Sequence, residues 1–89
     1  MPRILFASAF RRAVDAPPEE VVGDTVRATL DDYFTRHPTV RGYVLDEQGA
    51  LRKHVAIFVD GHPMPDRAHL AVAVDAGAEV HVIQALSGG

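Results

Sequence analysis

The sequence predicts an α+β fold in which one main helix packs across a mixed sheet of four to five strands. Three observations predict this class: a strand-like apolar run near each end of the chain, another such run in the second half, and one segment whose apolar residues have helical spacing. With 89 residues, 47% of them apolar, the chain can bury one modest core. We expect one domain at residues 1–85 and a flexible tail at residues 86–89.

The first two strands are predicted to form a hairpin. In Arg3–Phe10 both alternating sets of side chains are mostly apolar, which is typical of a central strand that is covered on both faces. The turn signal Asp15–Pro18 follows, and Glu19–Val22 can then form a short edge strand.

The main helix is predicted to begin at a polar capping residue. Asp24 or Thr25 can accept hydrogen bonds from the free amides of the first turn. Pro38 ends the helix near Arg36 or His37, because proline lacks an amide proton and disfavours helical geometry in the residue before it. The residues that form the single apolar stripe of this helix are Val26, Leu30, Tyr33 and Phe34.

The second half of the chain is predicted to contain two strands separated by an irregular stretch. Residues 39–50 form a loop with a brief helical turn around Tyr43–Leu45, and Leu51–Val59 forms a second central strand that ends at the turn Asp60-Gly61. Residues 62–77 contain at most one short strand, and Glu79–Ala85 forms the last strand. This order of elements is that of the β-grasp, in which the first and last strands lie side by side at the centre of the sheet.

Charge and composition exclude several classes of function. With 9 Lys and Arg against 12 Asp and Glu, the chain lacks the broad basic field that a nucleic acid requires. Two short basic groups, Arg11-Arg12 and Arg52–His54, can face a docking partner, although such groups are more often solvated loops or strand edges.

The apolar run at residues 4–10 is too short to span a membrane and no basic segment precedes it, so we expect no signal peptide and a cytoplasmic protein. The absence of cysteine excludes disulfides, thiolate metal sites and a cysteine nucleophile.

No catalytic or metal-binding constellation stands out, so we expect that the chain is not an enzyme. The histidines lack the spacing of zinc sites, although His54 and His81 can face one another on adjacent strands, and we expect surface histidines and no bound metal. The histidines are His37, His54, His62, His69 and His81. The acidic residues that fit helix caps and solvated loops better than a catalytic pair are Asp24, Asp31, Asp32, Asp46 and Glu47.

The tail Leu86-Ser87-Gly88-Gly89 directly follows the last predicted strand. Two glycines make the thinnest peptide available, so the terminal carboxylate of Gly89 can thread a narrow channel in another protein. A carboxylate is ionised at neutral pH and is a poor electrophile, so an ATP-dependent partner must form an acyl-adenylate on Gly89 before a thiol, a persulfide or an amine can attack. Ser-Gly-Gly is equally typical of an unstructured terminus without a function.

Two segments carry a family resemblance that covers essentially the whole chain: "LRKHVAIFVDG" at residues 51–61 and "GAEVHVIQALSGG" at residues 77–89. The chain resembles the ubiquitin-like sulfur carriers of the MoaD/ThiS family, most of all the longer members that serve cysteine biosynthesis. The resemblance implies that a ubiquitin-activating-type adenylyltransferase uses ATP to adenylate Gly89, and that a sulfur donor such as a rhodanese or a cysteine desulfurase converts it to a thiocarboxylate. An acceptor enzyme would then use the sulfur for cysteine, a cofactor, thiolated RNA or another metabolite. Leu86, Ser87 and Gly88 would be the tail that activation requires, and the carrier itself would bind no cofactor.

The chain departs from the family pattern at two places. Ala76-Gly77-Ala78 stands where Asp-Gly-Asp is frequent, and Gln84 stands where proline is frequent. These differences do not touch the chemistry of Gly89, but they put in doubt which activating enzyme and acceptor recognise the surface. Three other functions stay open: a ubiquitin-like modifier joined to lysines through Gly89, a molybdopterin synthase small subunit, and a non-covalent β-grasp binding module.

Overall fold

The computed structural model describes residues 1–84, which form a five-stranded mixed sheet and three helices. The elements in chain order are β1 Arg3–Phe6, α1 Ser8–Ala13, β2 Glu19–Glu20, α2 Val26–Arg36, α3 Pro38–Val44, β3 Val55–Val59, β4 His62–Pro63 and β5 Glu79–Gln84. The strand order is β2-β1-β5-β3-β4, so the first and last strands lie side by side at the centre, and the predicted β-grasp is confirmed with α2 as its main helix. Among residues 1–84 no helix has the length and apolar character needed to cross a membrane.

β5 is the middle strand and is hydrogen-bonded on both sides. It runs parallel to β1, with Val82 opposite Phe6, and antiparallel to β3, with Gln84 opposite Val55. Val80 and Val82 are fully buried, whereas Gln84 is exposed. A shift of β5 by one residue would turn both valines out of the core, so their burial fixes the register.

The first strand is shorter than predicted. β1 ends at Phe6, and the rest of the apolar run forms α1, in which the amides of Phe10 and Arg11 donate to the carbonyl oxygen of Ala7. Phe10 is buried, and its ring packs edge-on against Phe6 with 5.6 Å between the ring centroids. The run therefore stays in the core by turning into a helix, and periodicity cannot distinguish a helix from a strand over so few residues.

The prediction that β1 is covered on both faces was wrong. Ile4 and Phe6 are buried, whereas Leu5 between them is half-buried. The same alternation occurs in β5, where His81 is half-buried between two buried valines. One face of the sheet therefore carries the core, and the other face carries partly exposed side chains.

Helix α2 matches its prediction. Thr25 is the N-cap, and its Oγ1 accepts a hydrogen bond from the amide of Ala28 (3.1 Å). The helix ends at Arg36, and the predicted apolar stripe is buried. Within that stripe, Tyr33 donates its hydroxyl to the carbonyl oxygen of Pro17 (2.7 Å), and burial raises the pKa of its phenol to about 12.

Two boundaries in the second half differ from the predictions. The predicted loop after α2 begins with α3, because Pro38 occupies a first-turn position where the missing amide costs nothing and because two valines of the segment are buried. β3 begins at Val55 and not at Leu51, because residues 52–55 form a turn in which the amide of Val55 donates to the carbonyl oxygen of Arg52 (3.0 Å).

Both edge strands are short. β2 comprises only the first two residues of the predicted strand 19–22; it pairs antiparallel with β1, but α1 lies between them, so the connection is not the predicted tight hairpin. β4 is the single short strand expected within residues 62–77. Asp60 and Gly61 form the predicted turn before it, with φ values of 50° and 83°.

The irregular segment between β4 and β5 is held by two side chains. The guanidinium of Arg27 donates to the carbonyl oxygens of Gly49 (2.7 Å) and Ala68 (3.1 Å), and so joins two loops. Asp66 accepts hydrogen bonds from two backbone amides within the segment, at 2.9 Å each, and these bonds lower the pKa of its carboxyl to about 2. The segment is therefore irregular but tightly bonded.

Candidate functional site

The predicted covalent site lies outside the described residues. The residues concerned are Leu86, Ser87, Gly88 and Gly89. The structure describes the platform from which this tail continues, which is the end of β5 at Gln84 with the residues on either side of it. We call this end of β5 the exit end, and the opposite end at Glu79 the entry end.

On the β1 side, helix α1 packs against the exit end. The amide of Ala7 donates to the carbonyl oxygen of Val82 (2.9 Å), which places the start of α1 beside the last residues of β5. Phe10 anchors α1 in the core, and Arg11 and Arg12 in its last turn are exposed. α1 thus holds two cations beside the exit end.

On the β3 side, the turn at residues 52–55 lies beside the exit end, because β3 begins opposite the last residue of β5. Lys53 and His54 form the tip of this turn and are exposed. Nη2 of Arg67 donates to the carbonyl oxygen of Arg52 (2.7 Å) and holds the turn in place. The second basic group of the sequence therefore lies at the same end of β5 as the first.

The entry end is closed by hydrogen bonds. The amide of Asp60 donates to the carbonyl oxygen of Glu79 (2.9 Å), and the amide of Glu79 donates to Oδ1 of Asp60 (2.9 Å). On the other side, the amide of Arg3 donates to the carbonyl oxygen of Ala78 (2.9 Å). These bonds fasten the start of β5 to both neighbouring strands.

The face of the sheet that does not carry the core is partly apolar beside β5. Leu5, His81 and Phe58 lie opposite one another on three adjacent strands, and all three are half-buried. Ala56 and Ile83 form the next row towards the exit end and are also half-buried. A partner that approaches the exit end thus meets a flat surface with an apolar part.

His54 and His81, which could have faced one another on adjacent strands, do not do so. His81 is opposite Phe58, whereas His54 precedes Val55 at the exit end, about 10 Å further along β5. The turn at residues 52–55 causes this difference, because it starts β3 later than predicted. Within residues 1–84 no three His, Cys, Asp or Glu side chains are grouped so that they could hold a metal ion.

Sequence reasoning missed one polar cluster, which joins β2 to α2. Glu19 accepts a hydrogen bond from Nε of Arg36 (2.8 Å) and pairs with Nε2 of His37, and the bonds from His37 and Arg36 lower the pKa of the Glu19 carboxyl. The ring of Tyr33 lies beside that of His37, with 4.6 Å between the centroids. Glu19 and His37 are 18 residues apart, and no spacing rule pairs them. Because β1 separates β2 from β5, this cluster holds an edge strand and lies away from the exit end.

Comparison with known proteins identifies relatives over the whole chain. The model of the ThiS family matches residues 4–89. A search of curated proteins gives no significant match.

Solved structures of similar fold include three small β-grasp chains. A chain of the Amycolatopsis orientalis BexX/CysO complex is 20% identical, with 100% of both chains covered and a TM-score of 0.82. CysO of Mycobacterium tuberculosis is 20% identical, with 97% of this chain and 100% of that chain covered and a TM-score of 0.81. Small archaeal modifier protein 1 of Haloferax volcanii is 22% identical, with 96% of this chain and 97% of that chain covered and a TM-score of 0.75. At these identities the likeness shows the fold alone.

Proposed function

This chain belongs to the ThiS family, and we propose that it is a sulfur carrier whose C-terminal Gly89 is the point of attachment. A partner adenylyltransferase would activate the Gly89 carboxylate with ATP, and the resulting thiocarboxylate would donate its sulfur to an acceptor enzyme. In this scheme the chain is a co-substrate, and its folded domain presents the tail.

The observation that supports the proposal is the continuity between the family match and the exit end. The match to the ThiS family extends through Gly89, and residues 85–89 directly follow the last residue of the middle strand. Because β5 is paired on both sides, it fixes where the tail starts. A tail of this length can extend by at most about 17 Å, which is enough to enter an enzyme's channel while the domain docks at its mouth.

The proposed chemistry requires a carboxylate, ATP and a sulfur nucleophile. An oxygen of the Gly89 carboxylate attacks the α-phosphorus of ATP and displaces pyrophosphate, which gives an acyl-adenylate. Hydrosulfide then attacks the carbonyl carbon, the bond to AMP breaks, and the thiocarboxylate forms with release of AMP and a proton. With a protein persulfide as the donor, the product is an acyl disulfide, and a thiol must then reduce its S–S bond. The partners supply these thiols, since the chain contains no cysteine.

Intact-mass measurement tests the proposal. The full chain is incubated with the ubiquitin-activating-type adenylyltransferases of its own organism, ATP and sulfide, and one oxygen should be replaced by sulfur. Fragment ions should locate the sulfur on Gly89. The matched control carries one added alanine after Gly89, which should abolish sulfuration without shifting the midpoint of thermal unfolding, because the tail is expected to lie outside the core. A chain that none of these enzymes sulfurates, or an extended chain that they sulfurate equally well, contradicts the proposal.

A protein modifier is the second candidate function, because small archaeal modifier protein 1 of Haloferax volcanii has a similar fold. In this case a lysine amine would attack the acyl-adenylate, displace AMP and form an isopeptide bond to Gly89. Conjugates in cell extract that disappear when Gly89 is deleted would favour the modifier. The sequence contains a single lysine, so chains built through lysine side chains require Lys53, and Lys53→Arg should abolish them. Sulfuration without any conjugate would favour the carrier.

A further inference from the structure

We propose that the basic side chains on both sides of the exit end form a docking surface for the acidic protein surface that surrounds the tail-binding channel of the activating enzyme. We call this surface the exit patch, and its members are Arg11, Arg12, Arg52, Lys53 and His54. The inference rests on the proposed function, because it names the partner surface that the domain meets when the tail is activated.

The fold brings the two halves of the exit patch together. β1 and β5 are parallel, so α1, which follows β1, lies at the end where β5 finishes. β3 is antiparallel to β5, so the turn that precedes β3 lies at the same end. β1 and β3 are the two neighbours of β5, and their backbones are about 10 Å apart. Cations from two distant parts of the sequence therefore flank the start of the tail.

The exit patch presents its charges to solvent on well-anchored backbone. Arg11, Arg12 and Lys53 are exposed, and within residues 1–84 none of the three forms a salt bridge. Arg52 is half-buried, and its Nε donates to a backbone carbonyl oxygen of α3 (2.7 Å). Arg67, which bonds the carbonyl oxygen of Arg52, adds another exposed cation at the border of the patch. The fold thus fixes the backbone from which these cations extend.

The entry end carries the opposite charge. Asp60, Asp75 and Glu79 lie there with Arg3, and the chain as a whole has a formal net charge of −3. The ends of the six-residue strand β5 are about 17 Å apart, whereas the Debye length is about 8 Å at physiological ionic strength. A partner at the exit end is therefore largely screened from the entry-end carboxylates and senses mainly the exit patch. An acidic partner is attracted in this orientation and repelled in the reverse one.

The size and surroundings of the patch favour a protein partner over a nucleic acid. Asp46 and Glu47 lie beside Arg52 around a shallow hollow, so the cations of the exit patch do not continue into a long basic track. A nucleic acid binds through many successive phosphates, whereas a few carboxylates can each be matched by one cation. Because the tail continues from Gln84, the protein that takes up the tail must approach this end of β5.

Charge reversal in the full chain tests the exit patch. The variants are Arg12→Glu, Lys53→Glu and their combination, and the matched control is Arg3→Glu at the entry end. Sulfuration by the enzyme that sulfurates the wild type is measured with ATP and sulfide over a range of carrier concentrations and at two salt concentrations. The double variant should raise the KM for the carrier about tenfold with kcat unchanged and should remove most of the salt dependence of kcat/KM. Arg3→Glu should change the KM by no more than about twofold.

The outcomes separate this inference from the proposed function. If the wild type is not sulfurated, the proposed function fails and the stated partner with it. If the wild type is sulfurated but the double variant keeps its KM and salt dependence, or if Arg3→Glu has the same effect, only the exit patch is overturned. Lys53→Arg keeps the charge and should behave as the wild type, and equal midpoints of thermal unfolding show that the variants are folded. Binding of a labelled single-stranded RNA that the double variant loses would overturn the assignment to a protein partner.

Discussion

The two ends of β5 are both hydrogen-bonded to the neighbouring strands, but they differ in the charge that surrounds them. At the entry end, Asp60 and Glu79 exchange two hydrogen bonds of 2.9 Å, and the amide of Arg3 donates a third to the carbonyl oxygen of Ala78. At the exit end, Gln84 is exposed and pairs with Val55, and the amide of Ala7 donates to the carbonyl oxygen of Val82 (2.9 Å). Exposed cations lie in the two flanking segments, α1 and the turn at residues 52–55. The entry end is therefore flanked mainly by carboxylates and the exit end by cations.

The proposed capture of the tail by another protein requires that β5 itself be firmly held. Val80 and Val82 hold it, since each is fully buried in β5, which pairs with both β1 and β3. Burying a side chain of this kind stabilises a fold by roughly 1.5–3 kcal/mol. The start of the tail is therefore attached to the most firmly packed strand of the sheet.

The largest expected effect on stability comes from the buried part of β5. Val82→Ala removes two methyl groups from a fully buried position, and should lower the free energy of unfolding by about 2–3 kcal/mol. Urea unfolding followed by circular dichroism measures the change. A loss below about 1 kcal/mol would mean that β5 does not anchor the tail through its core residues.

A smaller effect is expected at the entry end. Asp60→Ala removes the acceptor for the amide of Glu79 and places alanine at a φ of 50°, and should cost about 1–2 kcal/mol. Asparagine keeps an acceptor oxygen and tolerates this backbone conformation. Asp60→Asn should therefore lower the free energy of unfolding by less than half as much as Asp60→Ala. Equal losses in the two variants would show that neither the hydrogen bond nor the positive φ matters.

Local signals in the sequence were enough to predict the elements that frame β5. The cap at Thr25, the stop at Pro38 and the turn at Asp60 each act within a few residues, and all three are confirmed. The helix at residues 8–13 was missed, because a short apolar run fits a strand as well as a helix and only packing of Phe10 against the core decides between them. The start of β3 was missed because the turn at residues 52–55 closes through a backbone hydrogen bond from Val55 to Arg52.

The exit patch could not be predicted from the sequence, although both of its halves were visible there. Arg12 and Lys53 become neighbours of one strand only through the parallel pairing of β1 with β5 and the antiparallel pairing of β3 with β5. These are long-range pairings that no local spacing encodes. The chemistry of Gly89, in contrast, was predicted from residue type and position in the chain, and it stays a prediction.

Acid should weaken the segment that leads to the entry end. The pKa of Asp66 lies at about 2 in the folded chain, below its ordinary value of 3.8, because backbone amides bond its carboxylate. Folding therefore favours the deprotonated form, and this stabilisation is complete above about pH 4 and is lost as the pH falls towards 2. Glu19, whose pKa is also lowered, acts in the same direction at β2.

Urea midpoints measured between neutral pH and pH 2 check this expectation. Asp66→Asn should flatten the part of the profile between about pH 4 and 2, and its effect at neutral pH should be smaller than that of Val82→Ala, because Asp66 lies near the surface. If the urea midpoint of Asp66→Asn falls between pH 4 and 2 as steeply as that of the wild type, Asp66 does not stabilise the segment.

The smallest expected effects lie at the exit end itself, where Gln84 is exposed and directly precedes the tail. Gln84→Lys and Gln84→Glu should each change the free energy of unfolding by less than about 0.5 kcal/mol, because the side chain leaves the core untouched. Their effects on activation should be opposite: an added cation should lower the KM for the carrier about twofold and an added carboxylate should raise it, since a single surface charge pair contributes up to about 1 kcal/mol. Both shifts should shrink at high salt, because the charges are exposed. If lysine and glutamate shift the KM in the same direction, the effect is steric, and the contrast between an acidic entry end and a basic exit end does not guide the partner.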